Sequence, residues 1–180
     1  MDPIAAIIAQ DPVGMKQLRA VRSLGLPDWC IAAGFVRNRV WDHLHGISPP
    51  REPPDIDVLF FDRADLSRER EAAYETRLDQ MMSGVAWEVR NQARMHLRKN
   101  VPPHRDTAEA MTFWLETVTA VGIRLEDDDT ITVIAPLGTD DLVNLRCRPT
   151  AFGRTRLDEY EERISRKRWR ELWPMVRFLS

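Results

Sequence analysis

CIAAGFVRNRVWDHLHGISPPREPPDIDVLFFD, residues 30–62, runs from an apolar start through a glycine into a helix, a proline-studded loop and a strand that opens on two aspartates. Gly34 stops the short apolar strand predicted for 29–33. Val36, Val40, Trp41 and Leu44 then recur at helical spacing up to Gly46, which predicts an amphipathic helix of about three turns. The four prolines between 47 and 54 make that stretch a loop. In the strand predicted for 55–61, Asp55 and Asp57 are two apart and leave the same face, while Ile56, Val58 and Phe60 take the other. Their Cα atoms lie roughly 6.5 Å apart at a strand's rise, a spacing that suits carboxylates converging on one divalent cation. Like charges at the head of an apolar strand cost stability unless a metal ion or an arginine neutralises them.

A third carboxylate follows in the strand predicted for 85–90. There Trp87 and Val89 face one way and Glu88 and Arg90 the other. If this strand adjoins the first, Glu88 completes a three-carboxylate cluster of the kind that holds two Mg²⁺ ions for phosphoryl chemistry. A salt bridge to an arginine is the structural alternative for Glu88. Mg²⁺ takes oxygen ligands, substrate phosphates and water, so histidine is not needed. Asp127 and Asp129 repeat the D-x-D spacing, but they fall in a hairpin turn between strands predicted for 118–125 and 130–135, where Asp serves local hydrogen bonding. At the other end of the opening stretch, Gly34 begins a helix whose first N–H groups, with Phe35, Arg37 and Asn38, can face an anion.

Helices are predicted from Pro3, over 12–24, from 65 or 66 to 82, over 91–99, over 107–117 behind Asp106, over 140–145 and over 158–172. Together with the strands they point to an α+β fold, a mixed sheet with helices mostly on one face. The chain of 180 residues reads as a single domain, with a motif core at about 29–111 and a C-terminal extension at about 146–180. Apolar residues make up 43%, enough for a core, and the net charge of −2 does not mark the whole molecule as a polyanion binder. Local arginine-rich stretches remain: residues 88–106 carry five Lys/Arg against two Asp/Glu, and residues 146–180 ten against five. Cys30 and Cys147 read as buried small hydrophobes. No signal peptide or membrane span is apparent, so a cytoplasmic location is the default, and no DNA-specific signal appears. P-loop, dinucleotide-turn and nucleophile-elbow motifs are all missing.

Ala33-Gly34-Phe35-Val36-Arg37-Asn38 followed by Asp55-Ile56-Asp57-Val58 resembles the G-G-x-V-R-D … D-I-D pattern of nucleotidyltransferases. The likeness is to the head domain of tRNA CCA-adding enzymes and poly(A) polymerases, in the polymerase-β-like superfamily. Residues 87–94 are similar to that family's Glu-bearing strand and the arginine beyond it, and Arg105-Asp106 to its R-R-D segment. The whole chain resembles a family of small bacterial nucleotidyltransferase-like proteins. The resemblance implies Mg²⁺ at Asp55 and Asp57 with Glu88 as third carboxylate, an NTP triphosphate over Gly34, and Arg37, Arg94 and Arg105 as electrostatic helpers. It departs from the pattern at Ala33, where a glycine is expected, at Asn38, where an aspartate is expected, and in a longer loop before Asp55. The acceptor is open: RNA, a small molecule or a protein. Besides a transferase, a non-catalytic nucleotide- or partner-binding module and an RNA-binding protein are consistent with the sequence.

Overall fold

Asp2 and Asp11 each stand one residue ahead of a proline, and each side chain accepts hydrogen bonds from two backbone N–H groups of the turn that follows. Those caps start α1 (Pro3–Ala9) and α2 (Pro12–Arg22) in the computed structural model, which describes residues 2–180. The chain continues through β1 (Cys30–Ala32), α3 (Gly34–Leu44), β2 (Ile56–Phe60), α4 (Arg68–Met81) and β3 (Trp87–Asn91). Two short helices, α5 (His96–Lys99) and α6 (Thr107–Thr112), precede the hairpin of β4 (Gly122–Leu125) and β5 (Ile131–Ile134). The remainder is α7 (Asp140–Val143), β6 (Arg146–Cys147), α8 (Ala151–Arg154), α9 (Leu157–Arg166), α10 (Trp169–Leu172) and β7 (Arg177–Phe178).

The main sheet has the order β3-β2-β1-β4-β5, mixed as expected: β2 and β3 run parallel across the α4 crossover, and the other neighbours are antiparallel. Alternation along the strands divides its faces. Ile31, Ile56, Val58, Phe60, Val89 and Ile123 join the main core with residues of α1–α4. Cys30, Ala32 and Leu59 face the other way, onto a smaller cluster with Met111 and Ala120. Asp57 shares this second face with Leu59, so the site and the thinner core lie on one side.

Helix α3 departs from the amphipathic pattern, since every residue from Phe35 to Asp42 is buried. Its polar side chains are accommodated by partners rather than by water. The Arg39 guanidinium donates to Asp11 at 2.6 Å, to Glu52 at 3.0 Å, to Gln17 at 3.2 Å and to the Phe35 carbonyl at 3.1 Å. Asp42 accepts from the Trp173 indole at 2.7 Å and from the Arg51 backbone N–H at 2.7 Å. Buried charge is tolerated only when satisfied in this way. These bonds tie α2, the proline loop and the C-terminus to the helix that follows Gly34.

The C-terminal region differs from the single helix expected over 158–172. Arg168 adopts a left-handed conformation (φ 53°) that separates α9 from α10. The break lets Trp169 and Trp173 pack edge-on against Trp41, with ring centroids 6.1 and 5.2 Å away. Burying two indoles against α3 outweighs one more turn of exposed helix. The expected helix over 107–117 likewise ends at Thr112, because Thr117 donates its N–H to the Arg148 carbonyl at 3.0 Å and Glu116 bridges to Pro149. Over 91–99 the helix is broken into a 3-10 turn and α5, as the Asn91 side chain is engaged by the backbone of Asp62, Asp65 and Ala93. Among the described residues no helix is long and apolar enough to cross a membrane.

Candidate functional site

The β2–β3 register sets Asp57 directly opposite Glu88 and Leu59 opposite Arg90. Because the pairing is parallel and in phase, both carboxylates leave the sheet on the same side. They line a cleft of about 630 Å³ that also takes in Ala33 at the end of β1. Asp55 lies one residue before β2, in the bend that enters it. Burial pushes the Asp57 carboxyl up to about 6, and the negative charges of Asp55 and Glu88 add to the rise. Arg163 and Lys167, from the end of α9, act in the opposite direction. Glu88 is half-exposed, and its carboxylate lies 3.5 Å from the Arg90 guanidinium, so the arginine pairing weighed from sequence is present within its own strand.

The turn from β1 into α3 has an unusual backbone. Ala33 caps the helix with φ 53° and ψ −118°, the first central position of a type II′ turn, which glycine normally fills. An L-residue there is strained by about 1–3 kcal/mol. Ala33→Gly is therefore expected to stabilise the chain by about 1 kcal/mol after glycine's extra chain entropy, raising Tm by roughly 2–4 °C. A lower Tm for the variant in thermal denaturation would contradict the strain. Gly34 itself has Pro53 and Arg37 as neighbours, and a Cβ there would come within 3.1 Å of Pro53.

The other residues named from sequence are distributed as follows. Phe35 is fully buried in the main core. Arg37 is buried with its guanidinium 4.1 Å from the Trp169 ring and donates to the Asn38 side chain at 2.8 Å. Burial pulls it down to about 10, against the opposing influence of Glu116 and Asp57. Arg94 is held in a buried ion pair with Glu71, and Arg105 sits on the surface 3.0 Å from Glu109. The structure thus sets Asp57 and Glu88 side by side in the cleft with Ala33, keeps Asp55 near enough to act on Asp57 through its charge, buries Arg37 and Asn38 in α3, and turns Arg94 and Arg105 to other partners.

Sequence reasoning passed over the opposite wall. Glu116, almost wholly buried, accepts from Thr119 at 2.8 Å and lies 2.8 Å from Arg163 of α9. The one signal was a lone carboxylate after the apolar run Phe113-Trp114-Leu115. Among the described residues no three carboxylate, histidine or cysteine side chains come close enough to enclose a metal ion on their own. Mg²⁺ usually needs only one or two carboxylates beside substrate phosphates and water. The hard oxygens and the unneutralised charge that raises Asp57 fit such an ion.

The family described as Nucleotidyltransferase matches residues 19–178. Among solved structures, a protein whose NMR structure reveals a CCA-adding enzyme head domain is 34% identical, with TM-score 0.85 over 98% of this chain and 94% of that one. A CCA-adding enzyme in complex with CTP superposes with TM-score 0.61 at 18% identity, over 98% of this chain and 43% of the enzyme. The Thermotoga maritima CCA-adding enzyme complexed with tRNA_CCA gives TM-score 0.57 at 15% identity, covering 98% and 42%. These last two likenesses are of fold, and the chain spans about two fifths of those enzymes' length. A comparison with curated protein sequences returns no match.

Proposed function

The chain belongs to the nucleotidyltransferase family, and on that premise we propose that it acts as a single domain transferring a nucleoside monophosphate from an NTP to a hydroxyl acceptor. The observation that carries this reading is the in-register facing of Asp57 and Glu88 on the floor of a cleft that the β1–α3 turn borders. Asp55 and Asp57, with Glu88 beside them, would hold Mg²⁺, which when bound supplies charge neutralisation at the reacting phosphate. The N–H groups at the start of α3 receive the triphosphate, favoured there by the helix dipole. The acceptor oxygen forms its bond to the α-phosphorus as the bond from that phosphorus to the α,β-bridging oxygen breaks. Pyrophosphate leaves with the electron pair, and the acceptor's proton passes to Glu88, whose carboxylate is open to the cleft.

The test is incubation with α-labelled NTPs and pooled RNA, small alcohols and proteins. Label transfer that depends on Mg²⁺ is the expected result. Calorimetry supplies the residue-level check: Asp55→Asn and Asp57→Asn both lose Mg·NTP binding while remaining folded, and unchanged binding in both would sink the reading. Ala33 and Asn38, which stand where the family pattern has glycine and aspartate, favour a second reading, a module that binds nucleotide without turning it over. Intact NTP binding without label transfer to any acceptor would select it.

A further inference from the structure

Beyond the carboxylates, the cleft runs to an end lined by Arg98, Lys99 and Arg156 together with Phe113 and Phe152. The Arg156 guanidinium lies 4.4 Å from the Phe152 ring, and the Lys99 ammonium lies 5.8 Å from the same ring. Phe113 packs edge-on against Phe152 with centroids 5.9 Å apart. These three cations are poorly compensated. Arg98 has no carboxylate partner among the described residues, and Arg156 has only the exposed Glu159 at 3.7 Å, with its own Nε buried and without a hydrogen bond. Lys99 uses one donor on the Phe113 carbonyl at 2.8 Å. Burial, with Arg98 and Arg156 adding to it, pulls the Lys99 ammonium down to about 8. Lys99 and Arg156, half-buried over the Phe152 ring beside the exposed Arg98, are costly to hold together unless an anion joins them.

Many of the other basic side chains in the two arginine-rich stretches are engaged by carboxylates. Arg90 pairs with Glu75, Arg94 with Glu71 and Arg105 with Glu109. Arg146 and Arg148 share Asp141, and Arg168 and Arg170 face Glu171 and Glu161. Polynucleotide binding draws on many free cations along a surface, and here more than half of the cations of the two arginine-rich stretches are paired within the fold, while Arg154, Arg166, Lys167 and Arg177 lie outside the cleft lining. Arg98, Lys99 and Arg156 line one cleft of about 630 Å³, a size suited to small molecules.

We propose that the Arg98–Lys99–Arg156 end of the cleft binds the acceptor, and that the acceptor is a small hydroxyl compound bearing a compact anion such as a phosphate. The proposal rests on the transferase reading for the word acceptor; the anion site itself rests only on the cluster. The cations hold the anionic group, the phenylalanine rings cover the body of the molecule, and its hydroxyl points toward Asp57 and Glu88.

The experiment is an NMR titration of the full chain with inorganic phosphate, with and without a saturating Mg²⁺ complex of a non-hydrolysable NTP. Phosphate is expected to shift the signals of Lys99, Phe152 and Arg156 in both cases. Lys99→Gln with Arg156→Gln should weaken phosphate at least tenfold and leave NTP affinity within about twofold, whereas Arg156→Lys should restore most of the phosphate binding. A tenfold loss of NTP affinity in the double variant, with phosphate excluded by bound NTP, would assign the cluster to the triphosphate and overturn the proposal. Absence of phosphate shifts in the wild-type chain would overturn it as well, as would displacement of phosphate by a short oligoribonucleotide with a steep salt dependence. A chain that binds phosphate at these residues but no NTP would defeat the transferase reading and leave the anion site standing.

Discussion

Asp57→Asn is expected to abolish transfer while making the free protein more stable. The activity loss should reach about 10²–10³-fold or more, since the substitution removes charge placed where the transition state develops it. The stability gain follows from the position of Asp57. Its carboxyl is raised from 3.8 to about 6, first by burial and then by Asp55 and Glu88. Between those values the folded chain binds more protons than the unfolded one, so stability falls as pH rises through this window, and the full penalty is present above about 6. Asparagine carries no such penalty. Allowing for solvent screening of a partly open site, the variant should gain about 1–2 kcal/mol at pH 7 and little at pH 4. Denaturation of both proteins at pH 4, 5, 6 and 7 checks this, and a difference that fails to widen with pH would show that Asp57 is already compensated. Mg²⁺ should raise the Tm of the wild type, because ligation stabilises the folded state alone, and should leave the variant's unchanged. Function held against stability at one residue is the pattern expected of a binding carboxylate.

The β1–α3–β2 frame was legible because its signals are local. A glycine after an apolar run, proline density and a period of two each act over a few residues, and Gly34, the loop over 47–54 and the Ile56–Val58–Phe60 face all carry through into the fold. Glu88 opposite Asp57 needed one further inference, that two consecutive strands would be neighbours. What stayed illegible depends on contacts between distant segments. Arg94, an electrostatic helper by resemblance, is instead taken by Glu71 once α4 crosses over β3, and the surroundings that α2 and the proline loop give Arg39 follow from no local spacing. Glu116 and Arg163 are 47 positions apart, and no spacing rule connects them. Ala33 marks the limit from the other side: the pattern asks for glycine, alanine occupies the position, and the backbone keeps the conformation suited to glycine. The turn is therefore imposed by the strand and helix on either side of it, not by local preference.

Gly153→Ala is expected to be the most damaging small substitution in the cleft wall. Gly153 sits in α8, and an added Cβ would lie 2.1 Å from the Leu115 carbonyl oxygen and 3.0 Å from its carbon. Both are backbone atoms, so no rotamer change can relieve the overlap. The same junction is held by hydrogen bonds that leave little slack: Thr150 N–H to the Leu115 carbonyl at 3.0 Å, Thr150 hydroxyl to the Trp114 carbonyl at 2.5 Å, and Gly153 N–H to the Thr150 hydroxyl at 2.9 Å. Making room for one methyl requires α8 and residues 114–116 to separate, breaking some of these bonds and pulling Glu116 from Arg163. The cost should be about 3 kcal/mol or more, at the upper end of overpacking effects. For a chain of this size that corresponds to a Tm lower by roughly 6–12 °C. Thr150→Ala, which removes the cap but adds no bulk, should cost about 1 kcal/mol and serves as the comparison. A Gly153→Ala protein melting within 2 °C of wild type would show that α8 does not bear on Leu115. If it melts low but retains NTP affinity, the wall formed by Leu115 and Glu116 supports the cleft without touching the nucleotide, consistent with that wall serving the acceptor side.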